Sequence, residues 1–295
     1  MGNNCCCQTE VIDTSYELNI NITQPRYINE ETIVEELKEN RQTYKMYDTI
    51  TKKNVTCKRI KSIKKRRAKR EANILQKLKT DYFPEFLEFS ENEEFCNIYY
   101  IFIPGVDLFT YLFRNIHMME LIEIKIFIKK MIDCLIELKK QNLCHLDIKF
   151  ENFIFNKDDN KLTLIDFESA HPYPKTNSNH ILTTYVGTKS YAPPEIWLNY
   201  YHKNSDTWSI AVCLWTALTL QYPFSTSKIS KYADNKETKI RKKCLFPKIN
   251  HIVLMDELHF DNSLKDFFHK AFYYTPSKRM TLEEMSNHNW LKLST

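Results

Sequence analysis

Between His145 and Glu168, charged groups and short apolar runs follow one another in an order that few architectures accommodate. His145-Leu146-Asp147-Ile148-Lys149-Phe150-Glu151-Asn152 leads directly into Phe153-Ile154-Phe155, and Leu162-Thr163-Leu164-Ile165 leads directly into Asp166-Phe167-Glu168. The two apolar runs read as short strands. Two carboxylates (Asp147, Asp166) and a carboxamide (Asn152) therefore stand at strand edges at fixed spacing. That arrangement suits phosphoryl transfer: one carboxylate orients an attacking hydroxyl and accepts its proton, while the other and the amide oxygen hold Mg²⁺ on nucleotide phosphates. An isolated His-x-Asp would mean little; the ordered set carries the signal.

A chain of 295 residues has room for one large domain or two coupled lobes. Its apolar share of 43% and charged share of 27% are those of a soluble globular protein, and a formal charge of +5 is no argument by itself for nucleic acid. No run approaches the length of a membrane-spanning helix, and the N-terminus lacks the apolar core of a secretory signal. Of the nine cysteines, three are consecutive (Cys5-Cys6-Cys7) and six are scattered without a C-x-x-C pair. The scattered six read as buried free thiols of a reducing compartment rather than zinc ligands or disulfides. Only three glycines occur, where average usage predicts about 20. Lys, Asn and Ile are abundant instead, as an AT-rich genome would also produce.

No repeat or Gly/Ser-rich linker divides the chain. Residues 1–30 are polar and irregular apart from the cysteines. From Glu31 to Phe102, β-like runs (Thr32–Val34, Thr43–Tyr47, Asn54–Lys58, Asn97–Phe102) flank one helix-like stretch near 64–79. After Pro104-Gly105 helical spacing dominates: Leu121, Ile124, Ile128, Met131, Ile132 and Leu135 share one face, and further patterns cover 205–219, 263–272 and 281–291. A small β-rich part preceding a larger α-rich part is an α+β arrangement, with Pro104-Gly105 as the hinge.

Further segments follow in a telling order. Val55-Thr56-Cys57-Lys58 ends a strand on a lysine, and Glu71 lies in Lys69-Arg70-Glu71-Ala72. Later come Gly187-Thr188-Lys189-Ser190-Tyr191-Ala192-Pro193-Pro194-Glu195, Asp206-Thr207-Trp208-Ser209, Arg279 and His288-Asn289-Trp290. Together with the 145–168 stretch they resemble the eukaryotic protein kinase superfamily, serine/threonine type, from about Thr32 to Leu291, and most nearly its calcium/calmodulin-dependent-kinase-like group. The resemblance implies a bilobal α+β fold: an N-terminal extension (1–30), a small β-rich N-lobe (31–103) and a larger α-helical C-lobe (104–295). It implies ATP and Mg²⁺ as cofactors and protein serine or threonine hydroxyls as acceptors. Asp147 and Lys149 take the catalytic places, as base and charge stabiliser. Lys58, Glu71, Asp107, Asn152 and Asp166 take the nucleotide-binding places, with Asn152 and Asp166 on the metal. Phe167, His145 and Leu75 are expected to stack as an internal spine anchored by Asp206, and Arg279 to pair with Glu195.

Four departures accompany the likeness. The stretch Leu37–Tyr44, where the family has its phosphate-covering loop, contains no glycine, although Lys38 or Arg41 offers charge there. Glu168 stands where the family has a flexible glycine. Leu146 stands where it has an arginine that reads a phosphorylated loop, which points to activity without that switch. Thr56 replaces a small alanine and crowds the base. These changes keep a second reading open, a catalytically impaired pseudokinase acting as a nucleotide-binding or protein-interaction scaffold. Against it, Lys58, Glu71, Asp147, Lys149, Asn152 and Asp166 are all present.

The basic run Lys58–Arg70 could serve nucleic acid or import, but reads better as the solvated face of the helix carrying Glu71, so no nucleic-acid partner is expected. Met1-Gly2-Asn3-Asn4-Cys5-Cys6-Cys7 resembles a dual-acylation signal, with myristate on Gly2 and palmitate on Cys5, Cys6 or Cys7. It departs from M-G-x-x-x-[S/T] at Cys6. The expectation is a cytoplasmic monomer held on the cytosolic face of a membrane by that terminus.

Overall fold

The computed structural model describes residues 26–38, 41–116, 118–224, 255–256 and 258–292. The N-terminal part is a five-stranded antiparallel sheet in the order β1-β2-β3-β5-β4: β1 (Tyr27–Lys38), β2 (Arg41–Asp48), β3 (Lys53–Lys61), β4 (Phe86–Glu91) and β5 (Phe95–Ile101). Helix α1 (Lys65–Leu75) crosses between β3 and β4. Its buried positions Ala68, Ala72 and Leu75 fall at helical spacing, so one narrow face meets the core.

Three details differ from the sequence reading. Strand β1 begins at Tyr27, so the lobe starts inside what reads as the N-terminal extension. Helix α1 stops at Leu75 rather than continuing to 79, because the chain tightens into a turn (Lys77 N–H to the Ile74 carbonyl, 3.0 Å) that turns Leu78 into the core. Strand β4 carries little alternation in burial, and its pairing with β5 makes it a strand.

The chain leaves β5 through Phe102–Gly105 and enters a larger helical part. Gly105 takes φ +126°, and a Cβ there would lie 2.3 Å from the Phe155 carbonyl oxygen, so glycine is required at this crossing. Strands β6 (Val106–Asp107), β8 (Phe153–Asn156) and β9 (Lys161–Leu164) form one small sheet, and β7 (Leu143–Cys144) pairs with β10 (His171–Pro172). The remaining elements are α2 (Leu108–Asn115), α3 (Leu121–Lys140), β11 (His180–Ile181) with β12 (Tyr200–Tyr201), α4 (Pro194–Trp197), α5 (Ser205–Thr219), α6 (Asn262–Ala271) and α7 (Leu282–Ser286). Every residue of α5 from Ser205 to Ala217 is buried, which makes it the axis of the helical part. Helix α3 starts in a capping box of Glu120 and Glu123 and lays Ile124, Ile128, Met131, Ile132 and Leu135 on that core. The architecture is the bilobal α+β arrangement. Cys57, Cys96, Cys134, Cys144 and Cys213 are buried free thiols.

Candidate active site

The site is assembled from both parts of the molecule. Lys58, on β3 between Thr43 of β2 and Ile98 of β5, extends its ammonium toward α1. Its Nζ donates to both carboxylate oxygens of Glu71, at 2.6 and 2.7 Å, and to Oδ1 of Asp166 at 2.8 Å. The Lys58 and Glu71 side chains are 6% and 2% exposed, so the pair is almost wholly removed from water. Burial pushes the Glu71 carboxyl above the usual range, and the Lys58 ammonium opposes that shift. Glu71 also accepts the N–H of Phe167 at 3.2 Å. One carboxylate thus ties β3, α1 and the segment after β9 together.

Asp166 takes a left-handed backbone (φ 66°, ψ 76°), a strained choice that turns its side chain to Lys58 as the chain leaves β9. Phe167 is fully buried, with its ring 5.2 Å from that of His145 and 5.7 Å from that of Phe83. His145 presents Nε2 to the Ile165 carbonyl at 3.2 Å. Asp206, at the start of α5, accepts the N–H groups of His145 and Leu146 at 2.8 Å each. Burial raises the Asp206 carboxyl, and these two donors counter it. They also hold Leu146 at φ 64°, a conformation costly for a branched side chain. His145 and Phe167 thus meet ring to ring as the sequence implies, and Leu75 is buried in the same hydrophobic core as Phe167.

Asp147 is half-buried between these anchors. Asn152 donates its amide to the Asp147 carbonyl at 2.7 Å and to Oδ2 at 3.4 Å. Oδ1 of Asp147 is buried and has no protein partner. A Cβ added at Gly187 would lie 3.6 Å from that atom. An acceptor deprived of water and of a donor is costly, and a substrate hydroxyl placed here would satisfy it. Lys149 is half-buried two residues on. Asn152 spends its NH₂ on Asp147, leaving its amide oxygen free of hydrogen bonds among the described residues.

The donor set fits Mg²⁺ bound with a nucleotide. Among the described residues no three His, Cys, Asp or Glu side chains converge on a protein-only metal site. Mg²⁺ needs none, because one or two protein oxygens plus phosphate oxygens and water complete its octahedron. Asp166 and the Asn152 oxygen would supply those, and Lys58 would face the phosphates.

Other expected residues fare differently. Asp107 caps α2, its Oδ1 accepting the Thr110 N–H at 2.8 Å, and it stands half-buried just past the hinge. Thr56 is 4% exposed. Gly2, Cys5, Cys6 and Cys7 lie outside the described residues, as do the side chains of Lys38 and Arg41. Glu168 lies in the 3₁₀ turn Phe167–Ser169, where its carboxylate meets Arg67 of α1 at 3.3 Å and its carbonyl accepts from Arg70 at 2.5 Å. This link from α1 to the segment is invisible to a motif reading; its only trace in sequence is Arg67, Arg70 and Glu71 at adjacent-turn spacing.

The chain matches the family described as Protein kinase domain over residues 39–291, and it belongs to that family. It is similar to the probable serine/threonine-protein kinase MARK-B of Dictyostelium discoideum, 29% identical over 236 residues that cover 78% of this chain and 31% of that protein. It is also similar to the calcium/calmodulin-dependent protein kinase cmkA of Emericella nidulans, 28% identical over 75% of this chain and 51% of the relative. With the probable serine/threonine-protein kinase HSL1 of Saccharomyces cerevisiae it is 26% identical over 76% of this chain and 14% of the relative. The chain thus spans about half the length of one of these relatives and a third or less of the other two.

Proposed function

We propose that the protein transfers the γ-phosphate of ATP to serine or threonine hydroxyls of other proteins. The observation that carries this reading is the single cluster Lys58–Glu71–Asp166 beside an Asp147 carboxylate whose Oδ1 is buried and unpartnered. ATP and Mg²⁺, when bound, supply an electrophilic phosphoryl group with its charge partly neutralised. Lys58, fixed by Glu71, orients the phosphates. Asp166 and Asn152 would hold the metal at their edge of the site. Asp147 accepts a hydrogen bond from the acceptor hydroxyl, orients it in line and takes its proton, while Lys149 balances the charge developing on the transferred group. Glu151 is buried on one side, with Oε2 unpartnered and its carboxyl raised by burial, which supports a cationic residue in the substrate beside the acceptor.

Phosphorylation of a serine/threonine peptide library in the presence of Mg²⁺ and ATP tests the reading. Asp147→Asn is expected to lower the rate by at least about 10²-fold, the scale of a lost general base, with ATP binding retained. Equal rates in the two proteins would overturn it. The second reading, a nucleotide-binding scaffold, is favoured by the glycine-free β1–β2 connection and by buried Thr56. It predicts ATP binding without transfer in the wild type.

The protein is further read as a cytoplasmic monomer held at a membrane surface by acylation of Gly2 and of Cys5, Cys6 or Cys7, with no nucleic-acid partner. Support for the anchor comes from the terminal sequence alone. No helix among the described residues is long and apolar enough to cross a membrane.

A further inference from the structure

Behind the crossing from β5 to the helical part lies a cavity of about 500 Å³, lined by none of the residues of the candidate site. Its walls come from both parts of the molecule. Leu78 and Phe83 contribute from ahead of β4, Phe86 from the start of β4, Ile101 and Ile103 from the chain leaving β5, and Thr163 from β9. Thr80 lines it as well, and its hydroxyl oxygen is buried without a hydrogen-bond partner. Cavities of this size enclose bound molecules elsewhere in proteins, and a buried hydroxyl left unpaired is costly. Strand β4 is the outermost strand on that side of its sheet, so an incoming segment meets no further strand there among the described residues.

The chain's own terminus is delivered to the same place. Arg26, the first described residue, reaches across the sheet from Asp48 of β2, at 3.0 Å, to Glu88 of β4, at 2.7 Å. Tyr27 donates its hydroxyl to the same Glu88 carboxylate at 2.9 Å and stacks on Tyr99 with ring centroids 4.2 Å apart. Glu88 stands two residues from Phe86, about 7 Å along a strand. Upstream of Arg26, Leu18-Asn19-Ile20-Asn21-Ile22-Thr23 alternates apolar and polar residues, a regular stretch within an otherwise polar terminus. In extended form it puts Leu18, Ile20 and Ile22 on one face. Pro25 biases the residue before it, Gln24, toward extended backbone. Ile22 precedes Arg26 by four residues, a reach of about 14 Å when extended.

We infer that the segment Leu18–Thr23 of the same chain fills this cavity, with Leu18, Ile20 and Ile22 against its apolar wall and a polar group of the segment opposite the Thr80 hydroxyl. Burying three branched side chains supplies the apolar gain that offsets ordering of the segment. Tethering favours this occupant over any free peptide, because a short linker gives an effective concentration of about millimolar. Since the walls belong to both parts of the molecule, the docked segment braces the crossing Phe102–Gly105 from outside. Residues 8–17 then form the tether between Gly2–Cys7 and that crossing. An effect of this brace on phosphorylation rests on the proposed kinase activity; the docking itself does not.

Amide exchange of the full-length protein, compared with that of full-length Leu18→Asp/Ile20→Asp/Ile22→Asp, provides the test, and the variant changes no residue of the fold described above. Exchange across residues 78–86 and 101–103 is expected to be faster in the variant by about fivefold or more, as for a local element released from packing. Residues 121–140 of α3 serve as the unchanged reference. Ile20→p-benzoylphenylalanine in the otherwise wild-type chain should, on irradiation, join residue 20 to peptides from 78–86 or 101–104 of the same molecule. Equal exchange in the two proteins would overturn the inference, and so would adducts that map elsewhere on the chain. Adducts joining two chains would overturn it as well, because a second copy would then hold the site. Neither readout needs ATP or turnover, so failure here leaves peptide phosphorylation untouched, and the converse also holds.

Discussion

Two buried charges show how single residues hold this molecule, and they differ in what removes them. Asp48 is fully buried at the end of β2 and accepts from Arg26 at 3.0 Å and from the Ile50 N–H and Thr51 hydroxyl. The Arg26 guanidinium first, and then these hydrogen bonds, hold its carboxyl well below the ordinary range despite its burial. A depressed acid stabilises the fold at every pH above its unfolded value of about 4, and the contribution is lost as pH falls through the lower folded value. Urea midpoints measured from pH 7 to pH 2 should therefore show a wild-type advantage over Asp48→Asn that is constant above pH ~5 and shrinks below ~4. An unchanged gap at low pH would show that Asp48 contributes by shape alone. Arg279 behaves otherwise. Its guanidinium meets both oxygens of Glu195, at 2.7 and 3.0 Å, and donates to the carbonyls of Asn204 and Tyr273, with both side chains 0–1% exposed. Truncation leaves Glu195 charged, buried and short of its fork, so Arg279→Ala should cost about 3–5 kcal/mol by equilibrium unfolding. That is a large share of a typical domain's total. Arg279→Lys should cost less, retaining charge but not the bidentate geometry.

At the scale of elements, the scarcity of glycine becomes informative. Gly105 and Gly187 both adopt positive φ, and at each a Cβ would lie 2.3 Å from a carbonyl oxygen. The carbonyl at Gly187 belongs to Leu146, next to Asp147 and held from behind by Asp206. Gly187→Ala is expected to push the Gly187–Glu195 segment away from the His145–Asn152 loop. Its kcat should fall by about tenfold or more, since misplacement by about 1 Å is costly to positioning, while KM for ATP changes little because Lys58 and Glu71 lie on other elements. A kcat within twofold of wild type would show that the two segments move independently. Helix α1 illustrates the limit of local reading. Its cations look like a solvated face in sequence, yet they divide between Glu91 on the sheet and Glu168 on the segment after β9. That division depends on which elements flank the helix, and no spacing within the helix encodes it.

At the scale of the whole molecule, an acylated terminus would act by raising the local concentration of the kinase near membrane-bound substrates. Wild type, Gly2→Ala and a Cys5→Ser/Cys6→Ser/Cys7→Ser protein should then separate on cell fractionation, with both variants in the soluble fraction and with peptide phosphorylation in solution unchanged. Membrane fractionation of both variants equal to wild type would remove the anchor from the account. The same scale governs catalysis. Lys58 and Glu71 belong to the sheet part, Asp147 and Asn152 to the helical part, and Asp166 connects them through Lys58 at 2.8 Å. Relative motion of the two parts therefore acts directly on the geometry of the site.

The sequence by itself determined the order of the chemical groups and the type of fold. A strand-borne lysine, a helical glutamate, His145–Asn152, Asp166 and Arg279 identify the family because each polar residue is embedded in an apolar pattern of the right period, and that pattern is local. It also showed α5 to the residue and the buried face of α3, since long amphipathic or wholly apolar helices need no context to be recognised. Tertiary structure decided the rest. It made β4 a strand through its pairing with β5, ended α1 at Leu75 and turned Glu168 from an expected disturbance into a partner of Arg67 and Arg70. In each case the deciding interaction joins residues whose separation in sequence carries no periodic signal, or a backbone turn that only packing selects. A side chain's partner is a property of the assembled surface around it, and that surface exists only once the chain has folded.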